Sequence, residues 1–292
     1  MAAPQRPLAA AFLPGCQDWV SLLIMLALDG KAVVIIGGTT GLGLSAARAC
    51  LREGADVMVT GRNIDSVVAA QAELGQGVFC VSEDAVDPAS APRVIAACLD
   101  RFGRFDALYH VAGGSGRKMG DGPLHEITDA GWQATIALNQ ASCFNSARAA
   151  CRVFWNRKTP GSILLMGSVL GYSPSPRFFA THAYATAKAA IIGLATAAAA
   201  YYASQNIRFN VIAPGLVETP MARRAANDPV IQQFIRTKQP LDGGRIGRAD
   251  DLDAAVVFLL SDAAKFITGQ VLAVDGGWSI TEGQIPPTEA QA

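Results

Sequence analysis

Tyr184 and Lys188 stand four residues apart in the run THAYATAKAA, residues 181–190. The run is made of small, helix-forming residues, and positions four apart share one helix face at about 5–6 Å. The spacing therefore aims a phenol and an ammonium at the same spot. Two readings compete: an acid with the cation that tunes it, or an ordinary aromatic and charge on an amphipathic helix. The pair alone does not choose between them, so the elements that must position it have to.

From Lys31 onward, short β-branched runs alternate with helical stretches. Strands are expected at KAVVII, ADVMVT, GVFCV, FDALYHV, SILLMG, IRFNVI and QVLAVD. Helices are expected at LSAARACLREG, IDSVVAAQAEL and ASAPRVIAACLDRF, over about Ala130 to Trp155, through THAYATAKAA, and at DDLDAAVVFLLS. Continuous apolar strands alternating with helices predict an α/β protein with a single Rossmann-type, doubly wound parallel sheet of about seven strands and helices on both faces. No linker, charge block or repeat interrupts residues 28–281, which are expected to be one domain. Residues 1–27 are apolar but broken by Pro7, Pro14 and Asp18, short of the ~20 residues of a spanning helix. They are expected to be a nonessential or poorly ordered extension, with Met25 an alternative start. A secretory or lipoprotein signal is the competing reading. Residues 282–292 are polar and expected to form a flexible tail.

Hydrophobic residues make up 51% and charged residues 16%, which excludes global disorder. Lys plus Arg and Asp plus Glu number 24 each with no basic run, so neither nucleic acid nor a membrane is the expected partner. The six cysteines, Cys16, Cys50, Cys80, Cys98, Cys143 and Cys151, form no Cys-x-x-Cys pair. They read as buried free thiols of a reducing, cytoplasmic protein. With three histidines, no metal-ligand cluster emerges.

The first strand runs into IIGGTTGLGLSAA, with Gly37, Gly41 and Gly43 spaced Gly-x-x-x-Gly-x-Gly around Thr39, Thr40 and Leu42. Glycines where a strand meets a helix let backbone approach a pyrophosphate at the positive helix end. The competing reading is a tight turn without ligand. After the second strand, VTGRN has Gly61 where NAD-preferring folds carry an acid, followed by Arg62. A guanidinium there can fork onto a ribose 2′-phosphate, which favours NADP over NAD. A solvated loop arginine is the alternative.

The ordered set of motifs resembles the short-chain dehydrogenase/reductase family over residues 28 to 278. It comprises GGTTGLG, DAVDP, HVAGG, Asn139, Ser168, Tyr184 with Lys188, NVIAPGLVETP and DGGW. The segment from Gly244 to Trp278 looks most like the 3-oxoacyl reductase branch. The resemblance implies an NADP-linked interconversion of a small-molecule carbonyl and alcohol. It assigns Ser168 and Tyr184 to the substrate oxygen, Tyr184 to proton transfer, Lys188 to tuning the phenol and holding the nicotinamide ribose, and Asn139 to anchoring a relay water. Asp84, Ala85, Ala112, Gly113, Pro214, Gly215, Val217 and Thr219 are implied to contact the cofactor. A free phenol has a pKa of about 10, and both the ammonium and a positive nicotinamide favour phenolate. Reduction of an activated C=C bond is an alternative, although such enzymes usually alter the Ser–Tyr–Lys spacing. So is a non-catalytic nucleotide-sensing protein, which would be expected to lose Tyr184 or Lys188.

Some features depart from the family pattern. Ser168 lies sixteen residues before Tyr184, because SPSPRFFAT lengthens the loop expected to line the substrate pocket. Ile36 and Val111 stand where the family carries a bonded polar pair, and are expected to form an apolar pair instead. His182 is not expected to act as a base. Arg223 and Arg224, in the segment expected to form a substrate lid, read as a solvated helix face, with an acidic or phosphopantetheine-bearing substrate as the alternative. The alanine-rich helix from Tyr184 to Tyr201, with the long helix before it, is implied to build a homotetramer or homodimer.

Overall fold

In the computed structural model, which describes residues 26–284, seven parallel strands form one sheet in the order β3-β2-β1-β4-β5-β6-β7. They are β1 Ala32–Ile36, β2 Asp56–Gly61, β3 Val78–Ser82, β4 Ala107–His110, β5 Gly161–Met166, β6 Ile207–Pro214 and β7 Val271–Val274. The α-helices are α1 Gly41–Arg52, α2 Ile64–Leu74, α3 Ser90–Phe102, α4 Asp129–Ile136, α5 Ser142–Arg157, α6 His182–Tyr202, α7 Arg223–Ala226, α8 Pro229–Lys238 and α9 Asp253–Leu260. The expected N-terminal extension and C-terminal tail lie almost wholly outside the described residues.

Side-chain parity explains why the central strands read as continuous apolar runs. Every residue of β1 is buried. Ala32, Val34 and Ile36 pack on one face against α3, α5 and α6. Val33 and Ile35 pack on the other against α1 and α9. A strand covered on both faces has no polar side to present, so alternation disappears from its sequence. The strand order reverses direction between β1 and β4, and such a switch point opens a crevice at the carboxyl ends of the strands.

The helix expected over about Ala130 to Trp155 is interrupted. Ala137–Ala141 forms a π-helical turn between α4 and α5, with Asn139 at its centre. The stretch His182–Gln205 has the length and apolarity of a membrane span, with mean hydropathy 1.3. Here it is one layer of the α/β fold, and its buried face includes Lys188.

The loop after β5, expected from the sequence to be lengthened, has its own packing. Phe178 meets Phe234 of α8 at 5.0 Å between ring centroids, and Phe179 meets Trp278 edge-on at 5.5 Å. With Val169, Ile231 and Ile235 these rings form a small third cluster separate from the two sheet faces. The loop and the α7–α8 segment therefore close over the crevice together.

Candidate active site

A cleft of about 630 Å³ opens at the carboxyl ends of the strands. Every candidate site residue named from the sequence lines it except Gly43 and Asn139. Pro214, Gly215, Val217 and Thr219 arrive from the end of β6, and Ala112 and Gly113 from the end of β4.

The glycine turn is shaped by close backbone approach. Gly37 has φ +88°, and a Cβ there would lie 2.7 Å from the Ala112 nitrogen. A Cβ on Gly43 would lie 2.1 Å from the Gly37 carbonyl oxygen, so any side chain would force the loop and α1 apart. Gly43 thus acts behind the cleft wall rather than on it. Thr40 at the N-cap of α1 makes no side-chain cap, and the first turn carries no acid. That leaves an uncapped positive helix end beside the cleft, the environment an anion requires. At the end of β2, a Cβ on Gly61 would sit 2.1 Å from the Thr39 Oγ1. Thr39 Oγ1 is 3.0 Å from Ser66 Oγ. The place of an acid is therefore filled by a hydroxyl, with exposed Arg62 beside it.

Ser168 follows β5 and is buried; its Oγ accepts the Leu170 N–H at 3.2 Å. Tyr184 and Lys188 lie one turn apart on α6, with Lys188 Nζ 5.5 Å from the centroid of the Tyr184 ring. Lys188 Nζ donates to the Met166 carbonyl at 2.8 Å, which ties α6 to the end of β5. Burial pulls Lys188 down to about 8, so it remains an ammonium at neutral pH. Burial pushes the Tyr184 phenol up from its ordinary value, and a hydrogen-bonding interaction with Ser168 pulls it the other way. Of the two charges expected to favour phenolate, the ammonium alone does not offset desolvation.

What fixes the start of α6 is absent from the local sequence. Thr181 at its N-cap makes no side-chain cap. Instead the buried carboxylate of Asp121 accepts the Ala183 N–H at 3.0 Å and the Tyr184 N–H at 2.9 Å. A capping acid is legible beside a helix start, but Asp121 comes from 62 residues earlier than Ala183.

Asn139 is fully buried, and its side chain is occupied by protein. Nδ2 donates to the carbonyls of Gly114 and Thr135, each at 2.9 Å, and Oδ1 accepts the Gly114 N–H at 3.0 Å. A Cβ on Gly113 would lie 2.7 Å from Asn139 Oδ1 and 3.6 Å from Lys188 Nζ. Asn139 therefore positions the segment after β4 against Lys188. The stretch expected to run as one helix through Asn139 instead carries it at the centre of a π-turn, a distortion common at functional sites.

The expected Ile36–Val111 side-chain pair is not formed. Ile36 belongs to the cluster under α5, while Val111 packs on the opposite face. Their link is backbone: the Ile36 carbonyl accepts the Val111 N–H at 2.8 Å and the Ala112 N–H at 2.9 Å. Ile36 is paired across the sheet with His110. His110 is buried, with Nδ1 3.0 Å from Ser146 Oγ and Nε2 3.4 Å from Ser142 Oγ. Burial, with Lys188 nearby, holds it down to about 3, so it is neutral. His182 is exposed and does not line the cleft. Of the two lid arginines, Arg224 borders the cleft and Arg223 does not.

A protein-family model described as Enoyl-(Acyl carrier protein) reductase matches residues 37–279. The 2,5-dichloro-2,5-cyclohexadiene-1,4-diol dehydrogenase LinX of Sphingobium indicum is 32% identical, over 87% of this chain and 98% of its own length. The cis-4-hydroxycyclohexanecarboxylate dehydrogenase of Sinomonas cyclohexanicum is 30% identical, over 85% and 96%. The 3-oxoacyl-(acyl-carrier-protein) reductase FabG of Escherichia coli is 32% identical, over 85% and 97%. Among solved structures, a short-chain type dehydrogenase/reductase from Mycobacterium ulcerans superposes with TM-score 0.81 at 29% identity, covering 91% of this chain and 95% of the other.

Proposed function

Because the chain belongs to the short-chain dehydrogenase/reductase family, and is thereby a nicotinamide-dependent oxidoreductase acting on CH–OH and C=O groups, we propose that it uses NADP(H), with Tyr184 as the proton-transferring residue. One observation carries this reading: the Tyr184 phenol, the Ser168 hydroxyl and the Lys188 ammonium converge on one wall of the cleft that the glycine turn opens.

The walls suit a phosphorylated dinucleotide. Thr40, Gly41 and Leu42 would hold the pyrophosphate at the uncapped end of α1. Arg62, beside Asn63 and Ser66, would hold a ribose 2′-phosphate, since the Thr39 hydroxyl occupies the room an acid at position 61 would need. Asp84 and Ala85, which line the cleft, would border the adenine, and Ala112, Gly113, Lys188, Val217 and Thr219, which line it too, would border the nicotinamide. Bound there, the nicotinamide supplies or accepts a hydride. The chain's own part is the oxygen and the proton. Ser168 donates a hydrogen bond to the substrate oxygen. The neutral Tyr184 phenol donates its proton to that oxygen on reduction, and its conjugate base takes the proton back on oxidation. The Lys188 ammonium, held by the Met166 carbonyl, stabilises the phenolate left behind.

A panel of ketones and secondary alcohols, followed at the reduced-nicotinamide absorbance, tests the reading. Turnover with NADPH outpacing NADH is expected; activity with NADH alone would contradict the coenzyme choice. The working assembly is proposed as a homodimer or homotetramer in the cytoplasm. Phe144, Trp155 and Tyr201 stand 42%, 47% and 68% exposed around a groove between α5 and α6. The five described cysteines are free thiols, as a reducing compartment requires. Sedimentation velocity reporting only a monomer would refute the assembly.

A further inference from the structure

Two guanidinium groups converge on one carbonyl oxygen at the rim of the cleft. Arg117 Nη2 donates to the Phe178 oxygen at 3.1 Å, and Arg224 Nη2 donates to the same oxygen at 3.4 Å. Three separate elements meet there. Arg117 opens the turn Arg117–Met119 beyond β4, Arg224 lies on α7, and Phe178 lies on the lengthened loop after β5. Both arginines line the cleft.

The arrangement lacks a counter-charge. Among the described residues, neither arginine forms an ion pair. Asp121 is the acid that Arg117 feels, but both carboxylate oxygens already accept the N–H groups at the start of α6. The acids that border the cleft, Glu83 and Asp84, lie past the end of β3 rather than beside the two arginines, and Glu83 is paired with Arg93. Arg177, exposed and not lining the cleft, stacks its guanidinium 5.5 Å from the Phe178 ring centroid. Burial and the charge of Arg224 both hold Arg117 below its ordinary value. Each guanidinium carries five donors in a fixed fork, and one neutral carbonyl leaves most of them unused while the two cations repel. An oxyanion satisfies both at once, because its several oxygens accept forked donors and its charge cancels the repulsion.

Resting on the dehydrogenase reading of the same cleft, we propose that Arg117 and Arg224 form an anion clamp that selects substrates bearing an oxyanion, a carboxylate or a phosphate ester, at the end away from the reacting carbonyl. Ile231, Phe234 and Trp278 hold the lengthened loop to the lid, so an arriving anion ties three elements across the substrate. The extra loop length thereby has a role: it brings the Phe178 carbonyl to the point where the two arginines meet.

Calorimetry on the NADP⁺-saturated protein tests the clamp without relying on turnover. The probes are 5-oxohexanoate against its neutral amide, and dihydroxyacetone phosphate against dihydroxyacetone. The parent should bind at least one anion about tenfold or more tighter than its neutral partner. Arg117→Gln and Arg224→Gln should each lose part of that preference and the double variant all of it, with NADPH affinity unchanged within about twofold. Which anion shows the preference distinguishes carboxylate from phosphate. An absent preference in the parent, a preference surviving in the double variant, or a parallel loss of NADPH affinity would overturn the clamp. NADPH oxidation with the same probes is read alongside. Its absence with every ketone would count against the dehydrogenase reading, while the binding preference would still judge the clamp.

Discussion

Replacing Tyr184 by Phe should lower kcat/KM for ketone reduction with NADPH by roughly 10²–10⁴-fold, the usual contribution of a positioned general acid. The substitution keeps the ring that lies 5.5 Å from Lys188 Nζ and removes only the hydroxyl. Its interaction with Ser168 goes too, at about 1 kcal/mol, so the fold and NADPH affinity should persist. Direction matters for pH. Burial raises the phenol above its ordinary value, so the protonated form that serves reduction prevails throughout the neutral range. The base form that serves alcohol oxidation grows only as pH rises toward that elevated value. The parent's oxidation rate should therefore climb with pH above neutrality, and the Phe variant's should not. A Phe variant as fast as the parent would assign the proton to another group. His182, exposed and away from the cleft, is not placed to supply it.

Arg62→Ala should weaken NADPH by roughly 10–100-fold, as expected for losing a forked charge-assisted contact to a phosphate, and should leave NADH within about twofold. Two features of the cleft support this difference. Gly61 cannot accept an acid without displacing Thr39, whose hydroxyl would lie 2.1 Å from any Cβ there. Arg62 itself is exposed and forms no described ion pair, so its charge is available to a ligand. Fluorescence titration with the two reduced coenzymes checks it. Equal losses for both would reduce Arg62 to a solvated loop residue and remove the basis for choosing NADP.

The sheet was legible because each strand buried on both faces leaves an uninterrupted apolar run, and β1 shows why in its two-sided packing. The glycine turn and the Ser168, Tyr184, Lys188 set were legible because their spacing is local and ordered. Long-range arrangements were not. Asp121 caps α6 from a distant loop, and no helix-start signal near Thr181 announces it. Asn139 fell within a stretch expected to be one long helix; the preference of its side chain for local hydrogen bonding expresses itself as a π-turn clasping Gly114. The supposed partnership of Ile36 with Val111 failed on parity, because the two side chains leave the sheet on opposite faces. Arg224 is exposed, as a solvated helix face implies, but nothing in its own segment reveals that it borders the cleft or that Arg117 and the Phe178 carbonyl meet it.

The family model bears the description of an enoyl reductase, while the Ser168–Tyr184 arrangement favours a carbonyl oxygen as the site of protonation. One measurement separates the two chemistries: single turnover of 2-cyclohexen-1-one with NADPH deuterated at both C4 positions, with the label located by NMR. Deuterium at C1 of the allylic alcohol is the predicted result. Deuterium at C3 of the saturated ketone would contradict the account.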